Sequence, residues 1–255
     1  MLPFTDHLPD AQETPAIIAS HSFSFSRTEW DEVGELLAPQ FRLIAVDAPG
    51  FGDAHDLTGH SMEQMARHFA ETINQLDLDR YVLLGHSMTG KVMSILASRM
   101  GAQLGLRGTP EKLVLLTPTP LGEEVGGQDL RDSLLAYTKT RENAEQFVSD
   151  RIGLALAPEV RERAINAYFQ TSRAAWEAWL KDGVNEDWVE RCSPITVPTL
   201  VIAADRDPVW GIDMQQELTM PHLTNGSIAT IDSGHQVPME APQQLAEMVS
   251  SFLAS

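Results

Sequence analysis

Short apolar runs alternate with amphipathic stretches along almost the whole chain. The runs fall at 15–20, 41–47, 81–84, 112–116, 199–204 and 228–232. Runs this short, bounded by breakers, suit strands buried on both faces of a parallel sheet. Between them, residues 28–37 place Trp30, Val33, Leu36 and Leu37 on one face with acids in the first turn, which predicts a helix. Residues 61–76 are amphipathic, and Ser61 and Gln64 have the spacing of a capping box. Strands alternating with helices predict an α/β fold: a mostly parallel sheet covered by helices on both faces.

The pattern changes after Thr117-Pro118-Thr119-Pro120, where two prolines stop a strand. Residues 121–195 have few β-branched runs and several helical stretches, at 130–140, 142–152, 158–169 and 172–180, until Pro194 and Pro198 close the segment. The expectation is a core domain of residues 1–120 and 196–255 with a helical cap, 121–195, inserted over the strand ends. Tyr168, Phe169, Trp176, Trp179 and Trp188 either line a pocket under that cap or pack it onto the core, and the helical spacing of Trp176 and Trp179 favours packing. No internal repeat interrupts the pattern.

The chemistry enters at Gly85-His86-Ser87-Met88-Thr89-Gly90, between an apolar run and the helix-favouring residues 91–100. A serine at a sharp strand-to-helix turn is held exposed, above a helix N-terminus whose free N–H groups can receive negative charge. A serine becomes a nucleophile only with a base, and the base needs an acid to orient it. Acids follow the run 199–204 in Asp205-Arg206-Asp207-Pro208, and a histidine follows 228–232 in Ser233-Gly234-His235. The order Ser87, Asp207, His235 is that of one hydrolase architecture and of neither well-known protease order.

With these residues the chain resembles the α/β-hydrolase fold over most of its length outside 121–195. His21-Ser22-Phe23 is similar to the family's His-Gly-X oxyanion loop, and Asp47-Ala48-Pro49-Gly50-Phe51-Gly52 to its Asp-X-X-Gly-X-Gly turn. Gly234-His235 with Glu240 and Pro242 resembles its histidine region. The resemblance implies a Ser87, Asp207 and His235 triad, with the Phe23 and Met88 backbone N–H groups as the oxyanion hole. It selects Asp207 over its rival Asp205 through the family's Gly-X-X-Asp pattern. The pocket is expected to draw on His21, Ser22, Trp176, Trp179, Trp210 and Met239, with core packing as the alternative for the last two and for Met214. Asp47, Gly50 and Gly52 are expected to be structural, and Glu240 to favour the start of the last helix through its dipole. An N-terminal hairpin, usual in the family, is expected to be truncated or absent, since residues 1–13 are polar. Thr89 stands where the elbow pattern has a glycine, and Ser22 where the loop has one. Both are expected to crowd the oxyanion region.

The function implied is hydrolysis of small to medium carboxylic esters through an acyl-enzyme. A carbon–carbon bond hydrolase acting on a vinylogous diketone and a cofactor-free perhydrolase share the triad, and a non-catalytic ligand receptor shares the fold. Composition narrows the partners further. Eighteen Lys and Arg against 36 Asp and Glu give a net charge of −18. That disfavours nucleic acid, an anionic membrane surface and long polyanions, though a local patch can escape the average. The expected partner is a small-molecule substrate. No His-Glu-X-X-His, cysteine set, phosphate loop or dinucleotide fingerprint occurs, so no metal or cofactor is expected. Cys192 is the single cysteine, read as a buried or linker thiol. The lack of a signal-like N-terminus or apolar span points to a cytoplasmic location.

Overall fold

The strands are β1 (Phe4–His7), β2 (Ala16–Ser20), β3 (Leu43–Val46), β4 (Tyr81–His86), β5 (Leu113–Leu116), β6 (Thr199–Ala204) and β7 (Gly226–Ile231). They form one sheet in the order β1-β3-β2-β4-β5-β6-β7 in a computed structural model that describes residues 1–7, 15–78, 80–123, 127–208 and 210–255. Every pairing from β3 through β7 is parallel, and β2 through β6 are buried along their whole length. This is the all-apolar strand signature of a sheet covered on both faces.

The first strand fits the truncated hairpin expected of residues 1–13. Phe4–His7 pairs antiparallel with β3, from Phe4 opposite Val46 to His7 opposite Leu43. Its residues are all half-buried, as befits an edge strand held by its ladder rather than by an apolar run. It is the one strand before β2 among the described residues, and residues 8–14 lie outside them.

Helices α1 (Asp31–Leu37), α2 (Met62–Leu76), α3 (Met88–Ala97) and α4 (Met100–Gln103) lie between the early strands. The Ser61 capping box is formed in full at the start of α2: its Oγ accepts from Gln64 N while Gln64 Oε1 accepts from Ser61 N. Between β5 and β6 the described elements are all helical: α5 (Gln128–Leu135), α6 (Arg141–Ser149), α7 (Pro158–Phe169), α8 (Arg173–Lys181) and α9 (Val189–Cys192). The chain closes with α10 (Ile212–Leu218), α11 (Val237–Glu240) and α12 (Pro242–Ala254).

Two apolar clusters sandwich the sheet. On one face Trp30, Val33 and Leu37 of the α1 region meet Leu245, Ala246 and Val249 of α12. The other cluster joins Met65 and Phe69 of α2, Val92 and Met93 of α3, and Phe147, Tyr168 and Trp176 of the helices between β5 and β6. Those inserted helices therefore share an apolar cluster with the core. Polar contacts add to it: Ser172 N–H donates to Gly50 O at 2.8 Å, and Ser24 Oγ lies 3.0 Å from Thr171 Oγ1. A Cβ on Gly50 would stand 2.3 Å from that of Ala175, so α8 rests on a position that must be glycine, with φ +90°.

Candidate active site

Parallel strands bring their carboxyl ends to one edge, and the chemistry-bearing loops leave from that edge. Phe23 follows β2, Ser87 follows β4, Thr119 follows β5, Asp207 follows β6 and His235 follows β7. Ser87 has φ +51° and ψ −112°, a conformation a non-glycine residue adopts only when its surroundings hold it. Three backbone bonds do so. Ser87 N–H donates to Leu116 O at 2.9 Å, and Ser87 O accepts from Gly90 N at 2.9 Å and Thr119 N at 3.0 Å. The turn tolerates no side chain at Gly85, where a Cβ would lie 2.5 Å from Thr89 O, nor at Gly90, 2.8 Å from the Pro118 Cβ.

Thr89 does not crowd the turn as expected. Its hydroxyl donates to His21 O at 2.9 Å and accepts from His86 N at 3.1 Å, so it ties the elbow to the loop after β2. The position that must stay small is the next one, Gly90. Ser22, the second departure, is likewise absorbed into a buried network. Its N–H and hydroxyl face the Glu29 carboxylate at 3.2–3.4 Å, and its Oγ accepts from Gln236 Nε2 at 3.1 Å.

Asp207, not Asp205, meets the imidazole. His235 Nδ1 lies 2.7 Å from Asp207 Oδ2, with both side chains buried, whereas Asp205 is exposed. Between a carboxylate and an imidazole the ring supplies the proton, so Nδ1–H donates and Nε2 is left as an acceptor. Ser87 and His235 line one narrow cavity of about 60 Å³. No hydrogen bond joins the two among the described residues, and such contacts are often long without substrate. The Phe23 and Met88 amides donate to no protein acceptor among the described hydrogen bonds, which leaves two N–H groups near the elbow able to receive an oxyanion.

The pocket differs from the expectation. Trp179, Trp210 and Phe23 line the cavity, but His21, Ser22, Trp176, Met214 and Met239 do not. His21 is fully buried, with Nε2 accepting from Ala48 N at 3.0 Å and Nδ1 donating to Ser22 O at 2.8 Å, so both its nitrogens are engaged in holding loops. Trp176 donates its indole N–H to Leu134 O at 3.1 Å and packs on Phe23, centroids 4.9 Å apart. It lines a separate cavity beside Tyr168. Met239 is buried in the apolar cluster instead. The sequence reading passed over Thr119, Arg131 and Arg151, which line the cavity with Ser87. No local motif marks them; only the fold brings them there.

Glu240 also acts differently from a helix-dipole acid. Its carboxylate accepts from Gly153, Leu154, Gly234 and Gln236 N–H at 2.6–3.0 Å, clamping the loop after α6 to the loop carrying His235. Glu29, read as a first-turn acid, is fully buried with Oε1 2.6 Å from His86 Nδ1. Asp47 is structural as expected: it pairs with Arg27 and accepts from Asp53 N at 2.9 Å. Cys192 is buried, and that burial pushes its thiol pKa up. Among the described residues no group of three His, Cys, Asp or Glu could hold a metal, and no helix is long and apolar enough to cross a membrane.

A family described as "Alpha/beta hydrolase family" matches residues 17–248. A Bacillus subtilis (strain 168) protein provisionally named 2-succinyl-6-hydroxy-2,4-cyclohexadiene-1-carboxylate synthase is 28% identical over 98% of this chain and 93% of its own. 3-Oxoadipate enol-lactonase 1 of Acinetobacter baylyi (strain ATCC 33305 / BD413 / ADP1) is 23% identical over 96% of this chain and 90% of its own. Among solved structures, an esterase from Exiguobacterium antarcticum superposes with a TM-score of 0.83 at 19% identity, covering 99% of this chain and 95% of that one.

Proposed function

This chain belongs to the alpha/beta hydrolase family, and on that premise we propose that it is a serine hydrolase cleaving small to medium carboxylic esters through an acyl-enzyme. The observation that carries the reading is the Asp207–His235 hydrogen bond at the wall of the cavity that Ser87 also lines. In this reading His235 Nε2 takes the Ser87 Oγ proton as Oγ bonds to the ester carbonyl carbon. The carbonyl oxygen becomes an oxyanion held by the Phe23 and Met88 N–H groups. The C–O bond to the alcohol then breaks, and the alkoxide leaves with the proton from His235. Water next gives a proton to His235, its hydroxide attacks the acyl carbon, and the acid departs as Ser87 recovers its proton.

Asp207 holds the reactive tautomer and stabilises the imidazolium without taking its proton. Residues 121–195 act as the cap of the site, with 1–120 and 196–255 as its core. A fluorophosphonate probe tests the assignment. The expected result is a covalent mass increase on the peptide containing Ser87, lost in Ser87→Ala, together with turnover of 4-nitrophenyl butyrate without added metal. Labelling confined to another peptide would refute the nucleophile.

A further inference from the structure

The chain has twice as many acids as bases, yet among the described residues no Asp or Glu lines the cavity shared by Ser87 and His235, and two arginines do: Arg131 and Arg151. Arg151 is the more telling. It is only 8% exposed, and no carboxylate pairs with it among the described residues. Its Nη1 donates to Phe147 O at 3.0 Å, and its guanidinium carbon sits 3.6 Å from the Phe147 ring centroid. Burial pushes its pKa down to about 10, which still leaves it a cation at neutral pH. Asp150 and Asp207 attract it through space without forming an ion pair among the described residues, so one ring face, one carbonyl and these more distant charges compensate its burial only in part.

Two further observations give this cation a direction. Arg151 O accepts the His235 N–H at 2.9 Å, so the guanidinium belongs to a residue anchored to the base's own loop. Thr119, 2% exposed, lines the same cavity, and its Oγ1 has no hydrogen-bond partner among the described residues. A buried hydroxyl without a partner is uncommon unless something absent from the protein fills the role. The guanidinium fork and a hydroxyl donor together match a carboxylate, which accepts several hydrogen bonds at once.

Building on the Ser87 assignment, we propose that the substrate is an ester bearing a free carboxylate on a short chain, and that Arg151 receives this carboxylate while Thr119 supplies a second donor. The narrow cavity suits a short acyl chain, and the anion gives Arg151 the direct ion pair that it lacks among the described residues.

The test compares 4-nitrophenyl hydrogen succinate, which is anionic, with the neutral 4-nitrophenyl butyrate. The wild-type protein is expected to favour the succinate half-ester in kcat/KM. Arg151→Met is expected to lower that preference by about 10- to 100-fold, the worth of a charge-assisted hydrogen bond, with Arg151→Lys in between. A preference ratio unchanged in both variants would overturn the proposal, whatever happens to the absolute rates. Calorimetric binding of glutarate separates this inference from the catalytic one. If neither ester is hydrolysed, the nucleophile assignment fails on its own. Glutarate binding that is lost in Arg151→Met and weakened in Arg151→Lys would still support the anion site, and no wild-type binding, or equal binding in all three proteins, would sink it.

Discussion

Two carboxylate–imidazole pairs lie back to back in this protein, their imidazole rings 5.3 Å apart, and they differ in one nitrogen. In Asp207–His235 the carboxylate holds Nδ1, while Nε2 has no partner among the described residues and the ring borders the cavity. In Glu29–His86 the carboxylate also holds Nδ1, at 2.6 Å, but Nε2 lies 2.9 Å from His235 O. A carbonyl oxygen only accepts, so His86 Nε2 carries a proton, and the pair shares one further proton between Nδ1 and Oε1. Neither His86 nitrogen can take a proton from a substrate without breaking a buried bond. In the proposed mechanism, then, a neighbouring acid is not enough to make a histidine a base; an open second nitrogen is also needed. The closed pair serves the open one by fixing the backbone of residue 235.

The largest expected effect separates the two directly. Asp207→Asn stabilises the wrong tautomer of His235 and is expected to lower kcat by about 10⁴-fold with the melting temperature nearly kept. Asp205→Asn, at an exposed position, is the matched control and is expected to leave turnover near wild type. If Asp205→Asn causes the loss instead, the open pair is misassigned.

The next effect runs the other way. Glu29→Ala strands His86 Nδ1 and the Ser22 N–H in the interior, and is expected to cost about 3 kcal/mol of stability by thermal or denaturant unfolding. Glu29→Gln is expected to recover most of it. A flipped amide can donate to Nδ1 and accept from Ser22. A Glu29→Ala protein that stays folded yet loses as much turnover as Asp207→Asn would break the comparison, because the closed pair would then carry protons.

How far each pair could be read from the residues alone follows from where its partners lie. His235 and Ser87 stand on turns directly after apolar runs, and local breakers mark such turns. The loop after β6 offered both Asp205 and Asp207, and only the resemblance's Gly-X-X-Asp pattern selected Asp207. Glu29 was not legible, because its partner is 57 residues away and an acid opening an amphipathic stretch looks solvated. Arg151 was hidden for the same reason: nothing in its neighbourhood distinguishes it from any helix-end arginine. The sheet shows the same division. Strands β2 through β6 announce themselves as continuous apolar runs, while β1 owes its existence to β3 and carries no such run.

A third imidazole, with no carboxylate paired to it among the described residues, sharpens the comparison through the smallest effect. His60 is half-buried next to Gly50 and under α8, with Nδ1 3.3 Å from Pro49 O. Burial first, and the nearby His68 charge, lower its pKa below the ordinary 6.5, against the pull of that carbonyl. With the folded-state pKa below the unfolded one, the unfolded chain binds more protons between the two values, so stability rises with pH across that window. Acidification from pH 7 toward 5 is therefore expected to lower the melting temperature, and His60→Gln to remove part of the slope. Solvent screening keeps the change small. His222, also lowered by burial, contributes a similar slope, so the measurement is the difference between wild type and His60→Gln across the same pH series. A slope that steepens in His60→Gln would mean that His60 gains rather than loses a proton on folding. The rule that a histidine's partners set its proton affinity would then fail where no acid complicates it.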